Sequence, residues 1–150
     1  MKQIVVGYDP MGEQLAQAVL ETLQEAGHGY EITPGSGAEN YPDIAWETAL
    51  RVSGGGYHSG VLICGTGLGM SITANKVQGI RAARCTDTYS VEKARRNSAA
   101  NVLALGAELT PPAVARTLVQ VWLTHSFDSA RSVPKIERIE ALAEHAAALR

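Results

Sequence analysis

The chain has few cysteines and no long apolar run, and each shortage excludes a class of protein. Cys64 and Cys85 are its two cysteines, too few for a disulfide framework and too isolated for a zinc site. No apolar stretch approaches the ~18 residues of a membrane-spanning helix. The apolar part of the N-terminus, Ile4 to Gly7, is too short for a secretory signal. We therefore predict a cytoplasmic protein without a membrane segment.

The chain also lacks an excess of charge of either sign. Thirteen Lys and Arg oppose fifteen Asp and Glu, which gives a formal net charge of -2 at pH 7. No basic face is therefore expected to make nucleic acid a partner. Hydrophobic residues make up 45% and charged residues 19% of the 150 residues, a balance typical of a folded chain. This length predicts one domain over residues 1–150 with a sizeable core.

Short apolar runs alternate with amphipathic segments along the whole chain, which predicts alternating strands and helices. The predicted strands cover 4–7, 30–33, 60–64, 80–83 and 102–106. The predicted helices cover about 15–26, 41–53, 70–75, 88–96, a segment starting at 111, and 134–150. This order predicts an α/β fold: a single-domain, doubly wound, Rossmann-like arrangement of three layers around a five-stranded parallel sheet.

Ligands of such sheets bind beyond the carboxyl ends of the strands. We therefore expect functional residues in the segments that follow the strands. These segments are Asp9 and Pro10, Cys64 to Ser71, Asp87, Asn97 to Asn101, and Gly106 to Thr110.

The most informative local feature is the segment Cys64-Gly65-Thr66-Gly67-Leu68-Gly69-Met70-Ser71. Its alternating glycines permit a tight turn that directs successive backbone N–H groups inward, which favours an anion site. The spacing differs from the dinucleotide-binding pattern, and no Gly-Lys-Ser/Thr follows as in a P-loop. A nucleotide-binding regulatory module is therefore a minor alternative.

Cys64 and Thr66 are the candidate catalytic residues of this segment. A thiol facing several backbone N–H groups has its thiolate stabilised and can serve as a base or nucleophile. The Thr66 hydroxyl and the N–H groups could support a developing oxyanion, which suits proton abstraction beside a carbonyl. The alternative is that Cys64 is a small core residue. A Cys–His hydrolase is less favoured, because the four histidines lie away from the predicted strand ends.

Three further residues have two interpretations each. Arg131 and Lys135, four residues apart, could hold a phosphate or form a solvated basic face. Asp9 could bind a sugar hydroxyl or cap the helix that follows.

The central segments resemble ribose-5-phosphate isomerase type B and the galactose-6-phosphate isomerase subunits. The resemblance is most specific over 60–72, continues through 74–77, 79–83 and 87–90, and is weaker at 7–9, 100–103 and 105–107. It implies a five-stranded doubly wound fold and aldose–ketose isomerisation through a cis-enediolate without metal or cofactor. It also implies a homodimer, or a homotetramer, with active sites between subunits.

The resemblance also implies roles for individual residues. Cys64 would move the proton between C1 and C2, and Thr66 would handle the hydroxyl proton. The enediolate and the rest of the substrate would be bound by Gly65, Gly67, Gly69, Ser71, Asp9, Asn97, Asn101, Arg131 and Lys135.

The chain departs from the family pattern at several positions. Pro10 and Ser132 replace histidines, and Asn97 replaces the histidine that opens the sugar ring. Glu108 replaces a phosphate-binding arginine that the family takes from the neighbouring subunit. The expected substrates are ribose 5-phosphate and ribulose 5-phosphate. The alternatives are an open-chain tetrulose 4-phosphate, which needs no ring opening, another variant sugar, and a catalytically silent partner subunit.

Overall fold

The computed structural model describes residues 3–150, in which strands and helices alternate as predicted. The strands are β1 Gln3–Tyr8, β2 Tyr30–Ile32, β3 Tyr57–Cys64, β4 Ala82–Arg84 and β5 Val102–Gly106. The helices are α1 Glu13–Glu25, α2 Tyr41–Ser53, α3 Leu68–Ala74, α4 Thr88–Arg96, α5 Pro112–Thr124 and α6 Val133–Ala148. Short 3-10 turns at Pro10–Gly12 and Ala130–Ser132 precede α1 and α6. None of the helices in this part of the chain is long and apolar enough to cross a membrane.

The five strands form one parallel sheet in the order β2-β1-β3-β5-β4. From β1 the chain passes to β2 at one edge of the sheet, then crosses to β3 on the other side of β1, continues to β4 at the far edge and returns to β5 between β3 and β4. The direction of winding therefore changes between β1 and β3, whose carboxyl ends flank the crevice where such folds bind ligands. The predicted α/β fold with its doubly wound sheet is confirmed.

Alternate side chains of the three inner strands, β1, β3 and β5, enter two separate cores on the two faces of the sheet, because successive residues of a strand point in opposite directions. One core joins the sheet to α1 and α5 and contains Ile4, Ile63, Leu105, Leu118 and Trp122. The other joins it to α2 and α3 and contains Val5, Leu62, Ala104, Ile44 and Met70. Each large buried side chain contributes about 1.5–3 kcal/mol, so both helical layers hold the strand ends firmly in place.

The last helix, α6, differs from the others because none of its residues is buried. It is joined to the rest of the chain by an ion pair between Arg81 and Glu140, with N–O distance 2.6 Å, and by a hydrogen bond from Gln78 to Glu144. Its apolar residues Ile139 and Leu142 are half exposed. The helix therefore presents an apolar stripe that the rest of this chain does not cover.

The expectation that the segment from Asn97 to Asn101 follows a strand is wrong. This segment leads from α4 into the start of β5, so it lies at the amino edge of the sheet. The strand β5 has five residues, and at a rise of ~3.3 Å per residue Asn101 is about 15 Å from the carboxyl edge. The predicted parallel sheet already implied this position, because the segment precedes the predicted strand 102–106 and does not follow a strand.

Candidate active site

Two adjacent strand ends bring Asp9 and Cys64 together. Tyr8 at the end of β1 is in register with Ile63 of β3, and the backbone N–H of Asp9 donates to the carbonyl of Ile63 at 3.2 Å. Cys64 follows Ile63 and is in register with Gly106 at the end of β5. Both side chains therefore lie at the predicted carboxyl edge, in the crevice where the winding changes direction.

The loop after Cys64 turns back over the end of β5, and two glycines permit this close approach. Gly67 has a φ of +77°, and a Cβ there would lie 3.0 Å from the carbonyl carbon of Leu105. A Cβ on Gly106 would lie 2.6 Å from the backbone of Thr66. These two positions exclude larger residues for steric reasons. The tight turn inferred from the glycine spacing is therefore present.

Cys64 has a defined hydrogen-bond environment. Its Sγ accepts the backbone N–H of Gly67 at 3.1 Å, and the residue is 6% exposed. A donor directed at sulfur stabilises the thiolate more than the thiol, because the negative charge makes sulfur the better acceptor. The alternative of a purely apolar core residue accounts for the burial of Cys64 but not for this hydrogen bond.

Thr66 is held from both sides. Its Oγ1 accepts the backbone N–H of Leu68 at 3.2 Å, which leaves the hydroxyl proton available for donation to a ligand. Its carbonyl oxygen accepts a hydrogen bond from Nε of Arg84 at 3.0 Å. The sequence interpretation missed Arg84, although its position at the carboxyl end of a strand was a signal that could have identified it.

These groups surround a cavity of about 250 Å³. It is lined by Asp9, Met11, Tyr41, Cys64, Gly65, Thr66, Gly69 and Glu108. The structure thus brings together five of the predicted site residues. Drug-sized ligands occupy pockets of roughly 300–1,000 Å³, so this space suits a smaller molecule.

Met11 and Tyr41 line the cavity but were not predicted as site residues. Tyr41 begins α2, and a Cβ on Gly69 would lie 2.5 Å from its ring. The sequence identified Tyr41 as part of a helix start, and no periodicity distinguishes a side chain directed across to another loop. The sequence offers one signal for Tyr41: it follows the loop after β2, and that loop starts at the carboxyl edge of the sheet.

Asp9 caps the turn that leads into α1, which was one of its two predicted roles. Its Oδ1 accepts the backbone N–H of Gly12 at 2.9 Å, at the start of the turn that leads into α1. The cap engages one carboxylate oxygen and fixes the orientation of the group beside Cys64. Capping and ligand binding are therefore compatible roles for the same side chain.

Glu108 lines the cavity of its own Cys64, whereas the resemblance implied a residue directed at a neighbouring subunit's site. Its backbone N–H donates to the carbonyl of Gly65 at 2.9 Å, and its Oε1 lies 3.3 Å from the position of a Cβ on Gly65. Two carboxylates, Asp9 and Glu108, therefore border the space in front of the thiol.

The remaining predicted residues do not line this cavity. The backbone N–H of Gly67 points at Cys64, and Ser71 lies on the first turn of α3 with its N–H donating to the Gly67 carbonyl at 3.1 Å. Asn97 ends α4, and Arg131 and Lys135 are exposed near the start of α6.

Asn101 has a clear local role at the amino edge. Its Oδ1 accepts the backbone N–H of Arg81 at 2.8 Å, and its Nδ2 donates to the carbonyl of Gly79 at 2.9 Å. These bonds fix the turn that leads into β4.

Cys85 has surroundings that differ from those of Cys64. It is 5% exposed, and burial raises the pKa of its thiol to about 11, with the nearby Asp87 acting in the same direction. Its thiol is therefore neutral at physiological pH. Across residues 3–150, no group of three His, Cys, Asp or Glu is arranged to hold a metal ion.

Comparison with known proteins identifies the class. A profile of the family described as Ribose/Galactose Isomerase matches residues 4–139. The D-erythrulose-4-phosphate isomerase of Pectobacterium atrosepticum is 40% identical over 142 residues, 93% of each chain. The Ribose-5-P isomerase B of Listeria innocua is 41% identical over 144 residues, 93% of this chain and 96% of that one.

A solved structure agrees with these sequence matches. The ribose-5-phosphate isomerase B of Clostridium thermocellum superposes with a TM-score of 0.91 at 34% identity, covering 95% of this chain and 98% of that one. The fold and the matches together define a sugar isomerase. The chain belongs to the ribose/galactose isomerase family, which confirms the resemblance inferred from residues 60–72.

Proposed function

We propose that this isomerase interconverts a small aldose phosphate and its ketose phosphate, of the ribose 5-phosphate and ribulose 5-phosphate type, in the cavity at Cys64. The observation that carries the proposal is the placement of the thiol of Cys64, the hydroxyl of Thr66 and the carboxylate of Asp9 around one small cavity. Relatives named as ribose-5-phosphate and erythrulose-4-phosphate isomerases at about the same identity support it.

The proton transfer follows from the positions of Cys64 and Thr66. The thiolate of Cys64 removes the proton from C2 of the open-chain aldose, and the electron pair moves into a cis-enediolate. The thiol then returns the proton to C1, which gives the ketose. The Thr66 hydroxyl exchanges the proton between O1 and O2, and backbone N–H groups between Gly65 and Gly69, with Ser71, stabilise the negative charge.

Substrate binding is assigned to polar groups around the thiol. Asp9 accepts hydrogen bonds from sugar hydroxyls, since its cap leaves one carboxylate oxygen for a ligand. The enzyme acts in the cytoplasm as part of this proposal, because the charge of a phosphorylated sugar opposes its passage through a membrane.

A second copy of the chain completes the site in our proposal. Asn97 and Asn101 are at the far edge of the sheet, and Arg131 and Lys135 are exposed beside α6, so none of them lines the Cys64 cavity of its own chain. The exposed apolar stripe of α6 supports a homodimer, or a pair of dimers, in which these residues bind the phosphate and the sugar in the partner's cavity.

The homodimer is tested by changing the stripe of α6. Leu142→Asp places a charge on it, whereas Ala141→Asp adds the same charge about 100° away around the helix. We expect light scattering to give a dimer or tetramer for the unmodified chain and Ala141→Asp, and a monomer with little activity for Leu142→Asp. A fully active monomer would contradict the shared site.

An open-chain four-carbon substrate is the second candidate. Asn97 cannot exchange a proton at neutral pH, so it cannot replace a ring-opening histidine. A tetrulose 4-phosphate cannot close the usual five-membered ring through its esterified O4 and needs no such group. The carboxylate of Glu108 in the cavity also favours a phosphate position that differs from the one the family pattern implies.

Solvent proton exchange in D2O, followed by NMR, tests the function and distinguishes the substrates. The protein is incubated separately with ribose 5-phosphate, ribulose 5-phosphate, erythrulose 4-phosphate and galactose 6-phosphate, with Cys64→Ala as the control. Deuterium at C1 or C2 of the pentose phosphates supports the first candidate, and exchange confined to erythrulose 4-phosphate supports the second. No exchange with any of them would contradict both candidates and leave a variant sugar outside this panel or a silent subunit.

A further inference from the structure

Arg84 reaches the catalytic loop from the edge strand of the sheet. It is the last residue of β4, and its side chain crosses the end of β5 to donate from Nε to the carbonyl of Thr66 at 3.0 Å. Its Cγ lies 3.2 Å from the position that a Cβ on Gly67 would occupy. The guanidinium is therefore packed against the outer side of the loop, opposite the thiol.

The hydrogen bond from Arg84 is accepted by the Thr66–Gly67 peptide group, which itself donates a hydrogen bond to Cys64. The carbonyl of Thr66 and the N–H of Gly67 belong to the same peptide unit, and that N–H donates to Sγ of Cys64 at 3.1 Å. A cation bonded to the carbonyl draws electron density from the amide and makes its N–H a stronger donor. The two bonds also fix the orientation of the peptide plane.

The cavity at Cys64 is lined by acidic side chains and by no basic one among the residues described. Its lining includes Asp9 from the end of β1, Tyr41 from α2 and Glu108 from the loop after β5. Asp9 and Glu108 are both carboxylates, and no Lys or Arg is among the residues described as lining the cavity. Arg84 supplies positive charge from behind the loop.

We propose that Arg84 is a positioning residue that stabilises the Cys64 thiolate through the Thr66–Gly67 peptide without touching the substrate. The proposal rests on the proposed function in that Cys64 is the catalytic base. Unlike a substrate-binding arginine, Arg84 acts on the reactivity of the thiol in the absence of any sugar.

The test measures how fast iodoacetamide alkylates Cys64 as a function of pH, with mass spectrometry separating its peptide from that of Cys85. Arg84→Met removes the donor and the charge and keeps much of the side-chain volume. Arg84→Lys keeps the charge. Arg116→Met removes a cation that pairs with Glu21 on α1 and is the matched control.

We expect Arg84→Met to move the midpoint of the pH curve upward by about half a unit or more. Arg84→Lys should stay closer to the unmodified protein, and Arg116→Met should coincide with it. With the substrate found by proton exchange, Arg84→Met should lower kcat about threefold to tenfold and leave KM nearly unchanged. Thermal unfolding confirms that each variant is folded.

Three results would overturn the proposal. The first is an unchanged pH curve in Arg84→Met, and the second is a raised KM with unchanged kcat, which would make Arg84 a substrate-binding residue. The third is an equal shift in Arg84→Lys and Arg84→Met, which would mean that loop order rather than charge is lost. The alkylation curve needs no substrate, so failure of the proposed function would be recognised separately by the absence of exchange.

Discussion

The ends of β3 and β4 each place a buried cysteine at the carboxyl edge of the same sheet, yet the two thiols have different surroundings. Cys64 faces a cavity and accepts a backbone N–H from a loop that turns back over it. Cys85 enters the core, where burial raises the pKa of its thiol to about 11. Burial alone therefore does not distinguish the two thiols. The loop that follows β3 distinguishes them, because it directs a backbone N–H at the sulfur of Cys64.

Exchanging each cysteine for alanine gives the largest expected contrast. Cys64→Ala should reduce isomerisation and solvent exchange by about 10³-fold or more, because the proton-transfer group is lost. Cys85→Ala should retain activity and lower the free energy of unfolding by about 1–2 kcal/mol through the lost core contacts. Activity assays and urea unfolding measure both. Substantial turnover by Cys64→Ala would contradict the assignment of the base.

The loop itself is tested by Gly67→Ala. The added Cβ meets the carbonyl of Leu105 and must adopt a φ of +77°, so the N–H directed at Cys64 should shift. We expect activity to fall about 100-fold and the free energy of unfolding to fall by about 1–3 kcal/mol. Gly55→Ala is the matched control, because Gly55 has a φ of +79° but no atom within 4 Å of its Cβ position. Equal loss of activity in both variants would show that backbone strain alone is responsible.

A smaller effect is expected from the charges that surround Cys64. Glu108→Gln keeps the shape of the side chain and removes a carboxylate from the cavity. Because that charge repels an anionic substrate, KM should fall about threefold, a change of roughly 0.6 kcal/mol. Initial rates at low and moderate salt measure it, and the difference should narrow as salt screens the charge. A rise in KM would instead indicate that Glu108 binds a substrate hydroxyl.

The last effect appears only at alkaline pH and concerns Cys85. Its folded-state pKa is raised above the ordinary value of 9.0 to about 11, so the unfolded chain loses the thiol proton first. The associated stability is present below pH 9 and is lost as the pH rises toward 11. Cys85→Ala should therefore flatten the decline in unfolding free energy over this range, as measured by denaturant titration. A parallel decline in both proteins would contradict the assignment.

The sequence predicted much of the fold, because buried parallel strands are continuous apolar runs such as residues 60–64. It also identified Cys64 and Thr66, since they follow such a run within a glycine-rich turn. It did not identify Tyr41 or Arg84, whose side chains reach the loop from other elements at sequence separations of 28 and 18 residues from Gly69 and Thr66. Such contacts depend on strand order, which periodicity does not encode. The wrong placement of Asn97 to Asn101 has a different origin, because this segment lies between a predicted helix and the strand that follows it, and in a parallel sheet such a segment lies at the amino edge.

Cys64 lines the cavity of its own chain and Arg131 does not, and this separation has a genetic consequence. In the proposed dimer, each chain gives the thiol to one cavity and Arg131 to the other. Mixing Cys64→Ala chains with Arg131→Ala chains therefore assembles dimers in which one cavity carries both lesions and the other carries neither. Two inactive alleles expressed in the same cell would then restore activity to each other, whereas two lesions in residues that a chain gives to the same cavity would not.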